Sequence, residues 1–284
     1  MTEGETTTNI PEKVLRQVQE NREAELAGTM TVDRDGSAYV HFLGGLDASI
    51  TYAKTLTRGT WLDIGAGTTR GINDLACGDL GEGLRVEATV LNHGAGVDEY
   101  LGREKTYVTP VETLEGIQDG SVSLANGLNS VAYSTVPSLA VKSIDRVLES
   151  GGVFQGTFQD PDMNHTAVPM GPYDEFATAF QEHGYDTAIA KHPDPNTGVY
   201  ILIAVKPGAY VTAQELLERN LQSLPPFSTE EQQAHEIQIK RGLGLVLDLL
   251  PRDASQAQIA KFVDDILVAE YRFSPEDAKE VMRQ

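Results

Sequence analysis

Trp61-Leu62-Asp63-Ile64-Gly65-Ala66-Gly67-Thr68-Thr69-Arg70-Gly71 reads as a short buried strand that ends on an acidic residue and breaks into a glycine-rich turn. Two glycines one residue apart let a backbone come close to a ligand where any Cβ would clash. Strand, tight glycine turn and helix, in that order, is how α/β proteins hold an adenosine-containing cofactor. The flanking sequence agrees. From Thr60 onward strand and helix signals alternate, the mark of a parallel sheet. Strands are predicted at 60–64, 86–91, 106–109, 121–126 and 152–159. Helices are predicted between them at about 70–76, 97–102, 111–117 and 137–149, with another from Asp174 to Gly184. Asp186–Lys191 and Val199–Val205 then flank the turn Pro193-Asp194-Pro195-Asn196-Thr197-Gly198, which predicts an antiparallel hairpin closing the sheet.

On these residues the chain resembles the class I S-adenosylmethionine-dependent methyltransferases. Their first motif is a strand ending in Asp or Glu, then x-Gly-x-Gly-x-Gly. Asp63, Gly65 and Gly67 match it, and Thr69 stands at the third Gly. Asp119-Gly120-Ser121-Val122-Ser123-Leu124-Ala125-Asn126 is similar to the family's turn and fourth strand. Ile144-Asp145-Arg146-Val147-Leu148-Glu149-Ser150-Gly151-Gly152-Val153-Phe154 is similar to its helix, Gly-Gly turn and fifth strand, with Ser150 in a Pro position. The resemblance implies a Rossmann-like α/β fold, with a mostly parallel seven-stranded sheet ending in a hairpin. It implies S-adenosyl-L-methionine as cofactor and methyl transfer to a small molecule. A carboxylate at Asp63 suits that cofactor, which carries an ammonium and a sulfonium and has no pyrophosphate to seat on a helix N-terminus.

The resemblance also names cofactor-binding positions. Asp63 with the backbone of Gly65, Ala66 and Gly67 would meet the methionine part. The second strand should end on an acid that grips the ribose hydroxyls, and here Asn92 and His93 stand instead. Asn92 reads equally as a ligand contact or a turn residue. Glu112 is nearest the adenine position, and it reads equally as a charge opening a helix. Asn126 and Gly127 would flank the sulfonium. On the substrate side the candidates are Tyr133, Asp160, Asp162 and His165, in the loops after the fourth and fifth strands. Methyl transfer needs a general base only when the nucleophile must lose a proton, so no obligatory catalytic signature exists. No cysteine or histidine pairs stand at metal-ligand spacing, and no P-loop or nucleophile elbow is present.

Two rival readings remain. One is a catalytically inactive binding or scaffolding protein on the same fold, favoured by the absent third Gly and absent ribose acid. The other is an NAD(P)-dependent oxidoreductase, since Gly65, Gly67 and Gly71 also fit Gly-x-Gly-x-x-x-Gly.

The chain has 284 residues and a formal net charge of -20. Such a surface repels phosphate backbones, and no Lys/Arg run offsets it, which argues against nucleic acid. One cysteine, Cys77, allows no internal disulfide. The polar start, Met1–Asn9, is not a secretory signal, and no apolar run approaches the ~18 residues of a membrane span. A cytoplasmic protein is expected.

Residues 1–40 are predicted to hold an N-terminal helix, Pro11–Leu26, and a lid. Thr29–Leu43 reads as a hairpin turning at Asp33-Arg34-Asp35-Gly36, and Leu46–Leu56 as a helix leading into the sheet. Tyr39, His41 and Tyr52 are lid candidates. Residues 41–208 form the methyltransferase-like domain. Residues 209–284 read as a helical appendage. It has a capping box at Ser228 and Glu231, a stop at Pro251 and an antiparallel pair of apolar helices. The pair would pack on the main domain or form a homodimer.

Overall fold

The computed structural model describes residues 11–26, 35–92, 100–159, 172–194 and 197–224. Three helices come first: α1 (Glu12–Leu26), α2 (Gly36–Phe42) and α3 (Asp47–Ala53). Then follow β1 (Thr60–Ile64), α4 (Arg70–Cys77), β2 (Arg85–Val90), β3 (Thr106–Val108), β4 (Val122–Leu128), α5 (Pro137–Val147) and β5 (Leu148–Gln159). The described chain closes with α6 (Tyr173–Glu182), β6 (Asp186–Lys191), β7 (Val199–Val205) and α7 (Ala213–Ser223). The sheet order is β3-β2-β1-β4-β5-β7-β6. All neighbours run parallel except β7, which is antiparallel to both β5 and β6. This is the Rossmann-like class I methyltransferase fold.

Every residue of β1 is buried, as befits a central parallel strand covered on both faces. Leu62 and Ile64 join one core with α5 and α6, where Phe154 stacks on Phe180 at 5.0 Å and Phe158 meets Phe176 at 4.8 Å. Trp61 points to the other core, with Leu43, Leu46 and Ile50 of the N-terminal helices and Leu216 and Leu217 of α7.

That second face also carries polar side chains. Asp63, Asn126 and Gln155 stand side by side on β1, β4 and β5 by register. Gln155 is fully buried. Its Nε2 donates to Leu43 O (2.8 Å) and Gly45 O (2.7 Å), and its Oε1 accepts from Ser49 Oγ (2.7 Å) and Asn220 Nδ2 (3.0 Å). Asn220 Oδ1 in turn accepts from Ala48 N (2.8 Å) and Ser49 N (3.3 Å), serving as the cap that Leu46 cannot provide for α3. One glutamine and one asparagine thus bind α3 and α7 to the sheet.

Several expectations are corrected. Residues 38–43, expected as the second strand of a hairpin turning at 33–36, instead fall in α2 (Gly36–Phe42) and its C-cap Leu43. Asp35 acts as an N-cap, its carboxylate accepting from Ala38 N at 2.9 Å. The local cap wins over the Asp-Gly turn signal because Tyr39 and Leu43, four apart, then bury one face. The helix expected at 111–117 is a series of turns, with Leu114 at φ 45. Arg146 of α5 holds those turns in its place, donating to Thr113 O (3.0 Å), Leu114 O (2.9 Å) and Ile117 O (2.9 Å). The described end of the helix expected at 97–102 is a turn at residues 100 and 101. β4 and β5 outrun their predicted lengths, β5 beginning directly after α5. Of the C-terminal helices, α7 packs on α3, β6 and β7. Those expected beyond Ser228, and the homodimer through them, lie outside the described residues. No described helix is long and apolar enough to cross a membrane.

Candidate functional site

A cavity of about 170 Å³ opens at the carboxyl ends of β1, β2, β3 and β4, where open α/β sheets bind ligands. Its floor is the turn Ile64–Thr68. The end of β2 (Thr89, Val90, Leu91) and the loop Thr109–Glu112 form one side. Leu128, Asn129, Ser130, Tyr133 and Ser134 form the other. Tyr39 of α2 and Val18 and Asn21 of α1 complete the walls.

The glycine turn adopts the backbone the motif demands. Gly65 and Gly67 lie at φ +70 and +60, and Thr69, in the third glycine's place, is also left-handed at φ 61. A β-branched residue there is a genuine outlier. Thr69 is fully buried, and its Oγ1 accepts from Leu101 N at 3.1 Å. Two turn amides point back into the protein, Gly65 N to Thr89 Oγ1 and Ala66 N to Thr89 O, each at 3.0 Å. A Cβ on Gly65 would meet Ser130 Cβ at 2.5 Å. Gly65 therefore lets the ends of β1 and β4 close together, where the sequence had suggested close approach to a ligand. Gly71 has a different use. A Cβ there would strike the Tyr39 ring at 2.9 Å, so its glycine makes room for α2.

Asp63 is 1% exposed and sits behind Tyr39 rather than on the cavity wall. Its Oδ1 accepts from Tyr39 OH and from Asn126 Nδ2 (2.8 Å), and Trp61 Nε1 donates to Asn126 Oδ1. Its Oδ2 is buried with no hydrogen-bond partner. Burial pushes the Asp63 carboxyl up to about 7, against the opposing pull of the Tyr39 and Asn126 hydrogen bonds. Asn126, expected beside the sulfonium, is wholly buried in this network, and Leu128–Ser130 line the cavity instead.

The other candidates divide. Glu112 does face the cavity. It is 5% exposed, and burial raises its carboxyl despite a hydrogen bond from Ser134. Tyr133, on a short 3-10 turn, also lines it. Asn92 does not; its Nδ2 donates to Arg22 O of α1 at 3.1 Å. Of the lid candidates, only Tyr39 reaches the cavity. His41 lies against the His192 ring at 4.9 Å, and Tyr52 OH donates to Gly151 O at 3.0 Å. Asp160, Asp162 and His165 lie outside the described residues. The described residues contain no His/Cys/Asp/Glu cluster that could hold a metal. The sequence reading missed Tyr39 as the partner of Asp63, and it missed Ser130, Val18 and Asn21. A polar residue three after Val18 on α1's apolar face was the one available sign of the last.

The Asp63 shift has a stability signature. An unfolded carboxyl titrates near 3.8 and the folded one near 7. Between those values the folded chain holds a proton that the unfolded chain has released. The contribution of Asp63 is therefore full below about pH 4 and is lost as pH rises to about 7. Melting temperature followed from about pH 5 to 8 should fall more steeply in the parent than in Asp63→Asn. Parallel curves would show that Asp63 does not titrate in that window.

No protein-family model and no curated protein matches the sequence. Solved structures do. One is a Burkholderia thailandensis 1,6-didemethyltoxoflavin-N1-methyltransferase with 1,6-didemethyltoxoflavin and S-adenosylhomocysteine bound. It shares 16% identity over 70% of this chain and 91% of that one, at a TM-score of 0.47. A geranyl diphosphate methyltransferase in complex with GPP and sinefungin shares 16% over 60% and 78%, at 0.47. The [4+2]-cyclase SpnF shares 14% over 68% and 94%, at 0.47. Fold does not by itself fix function, so the chemistry of this site rests on its own residues.

Proposed function

We propose that the protein binds S-adenosyl-L-methionine in this cavity and transfers its methyl group to a small molecule. The observation that carries the reading is the left-handed Gly65–Gly67 turn at the end of β1, forming a cavity floor with a buried carboxylate, Asp63, close behind. Burial keeps the Asp63 carboxyl largely protonated up to about pH 7, and a ligand's ammonium or sulfonium near that floor would draw it, with its orphaned Oδ2, toward the charged form. Tyr39 lines the cavity while its hydroxyl is bonded to the Asp63 carboxyl behind it, so Tyr39 rather than Asp63 is the side chain a ligand meets. Glu112 and Val111 would border the adenine. The cofactor supplies an activated methyl carbon, and the protein's part is to orient an acceptor in line with it and keep water out. Tyr133 is placed on the wall to position that acceptor. The acidic surface favours a small acceptor over nucleic acid.

Incubation with methyl-labelled cofactor and fractionated small-molecule extracts tests the activity. Label should appear in a low-molecular-mass acceptor. Tight cofactor binding with no acceptor labelled would support the inactive binding protein instead. The enclosure of Asp63 behind Tyr39 and the missing ribose acid give that second reading its specific basis.

A further inference from the structure

Among the described residues, the end of β2 offers no carboxylate to the cavity, and the side chain nearest the expected place, Asn92, is turned away to a helix carbonyl. We infer that Asn21 of α1 reads the hydroxyl-bearing group of the ligand at this end of the cavity, and that Asn92 is a positioning residue that docks α1. The inference rests on the adenosine-cofactor reading of the site.

Four observations support it. The cavity walls at this end are Thr89, Val90 and Leu91 on the sheet side and Val18 and Asn21 on the helix side. Val18 and Asn21 are three apart and share one helix face. Asn21 is 8% exposed, and its Oδ1 accepts from Gln17 Nε2 at 2.9 Å, which fixes the plane of its amide. The Asn92 bond to Arg22 O, 3.1 Å, ties the next residue of α1 to the sheet. Finally, the Nε of Arg22 is buried with no hydrogen-bond partner. Buried donors are rarely left so, and Arg22 adjoins Asn21 in α1 although it does not itself line the cavity. An amide both donates and accepts, so Asn21 can serve a diol without a carboxylate.

The two asparagines make opposite predictions on conversion to aspartate. Asn21→Asp keeps the acceptor for Gln17 and gives the hydroxyls a charged partner, so affinity should hold or rise. Asn92→Asp loses the donor to Arg22 O and sets a carboxylate against a carbonyl, so affinity should fall. Calorimetry of the full chain would use S-adenosylhomocysteine and its 2′,3′-dideoxy analogue, with thermal unfolding as the check on folding. Asn21→Leu should weaken the hydroxyl-bearing ligand about tenfold and leave the dideoxy analogue unchanged. Asn92→Asp should weaken both alike. If Asn21→Leu does not fold, Asn21→Asp decides, since it should retain the preference for the hydroxyl-bearing ligand. Unchanged binding in Asn21→Leu, loss of that preference in Asn21→Asp, or tighter binding in Asn92→Asp would each overturn the inference while the cofactor reading stands. A parent chain that binds neither ligand would overturn both.

Discussion

Gly65→Val should bring S-adenosylhomocysteine binding below detection, a loss of at least about 100-fold, or about 3 kcal/mol. Two effects combine. The residue lies at φ +70, and its new Cβ would fall 2.5 Å from Ser130 Cβ. Left-handed backbone costs a branched residue about 1–2 kcal/mol, and overpacking costs about 1–3 kcal/mol more. Since Ser130 and the glycine turn adjoin and both line the cavity, forcing them apart deforms the site itself. Pairing Gly65→Ala with Ser130→Gly should recover the packing part and leave the backbone strain. Titration of each variant, read beside its melting curve, separates the two. Undiminished binding in Gly65→Val would detach the glycine turn from the ligand site.

Gln155→Leu should be the most damaging change to stability, at about 4 kcal/mol or more. Leucine fits the volume but leaves two carbonyls, a serine hydroxyl and the Asn220 amide without their buried partner. Buried polar groups stripped of a partner each cost about 1–3 kcal/mol, and these lie in one network, so the losses are not additive. Denaturant unfolding should show a lower midpoint. Because Gln155 reaches no cavity wall, the folded fraction should still bind cofactor. A loss under about 1 kcal/mol would show that the α2–α3 turn and α7 are held by their apolar contacts alone.

The sheet was legible because its signals are local. Trp61–Ile64 is a run buried on both faces, and the Pro-Asp-Pro-Asn-Thr-Gly turn separates two β-rich runs that become β6 and β7. The failures share a cause. Residues 36–42 carry a turn signal and a helix cap in the same dipeptide, and only burial of Tyr39 and Leu43 against the sheet decides between them. The turns at 111–117 are set by Arg146, some thirty residues away in sequence. At the site, the motif located Asp63, Gly65 and Gly67 but not their uses. That Gly65 serves Ser130, that Gly71 serves Tyr39, and that Asp63 faces Tyr39 depends on which elements pack over the strand ends. Asn92 illustrates the same limit: the sequence shows a missing acid at the end of β2, while the hydrogen bond to α1 is visible only in three dimensions.

The cavity at the ends of β1, β2, β3 and β4 is expected to take S-adenosylmethionine rather than a dinucleotide. Calorimetry of the full chain with S-adenosylmethionine, S-adenosylhomocysteine and NADPH side by side tests it most directly. Micromolar dissociation constants are expected for the first two, about 8 kcal/mol of binding free energy, with no heat from NADPH. Saturable binding of NADPH, or heat from none of the three, would contradict it.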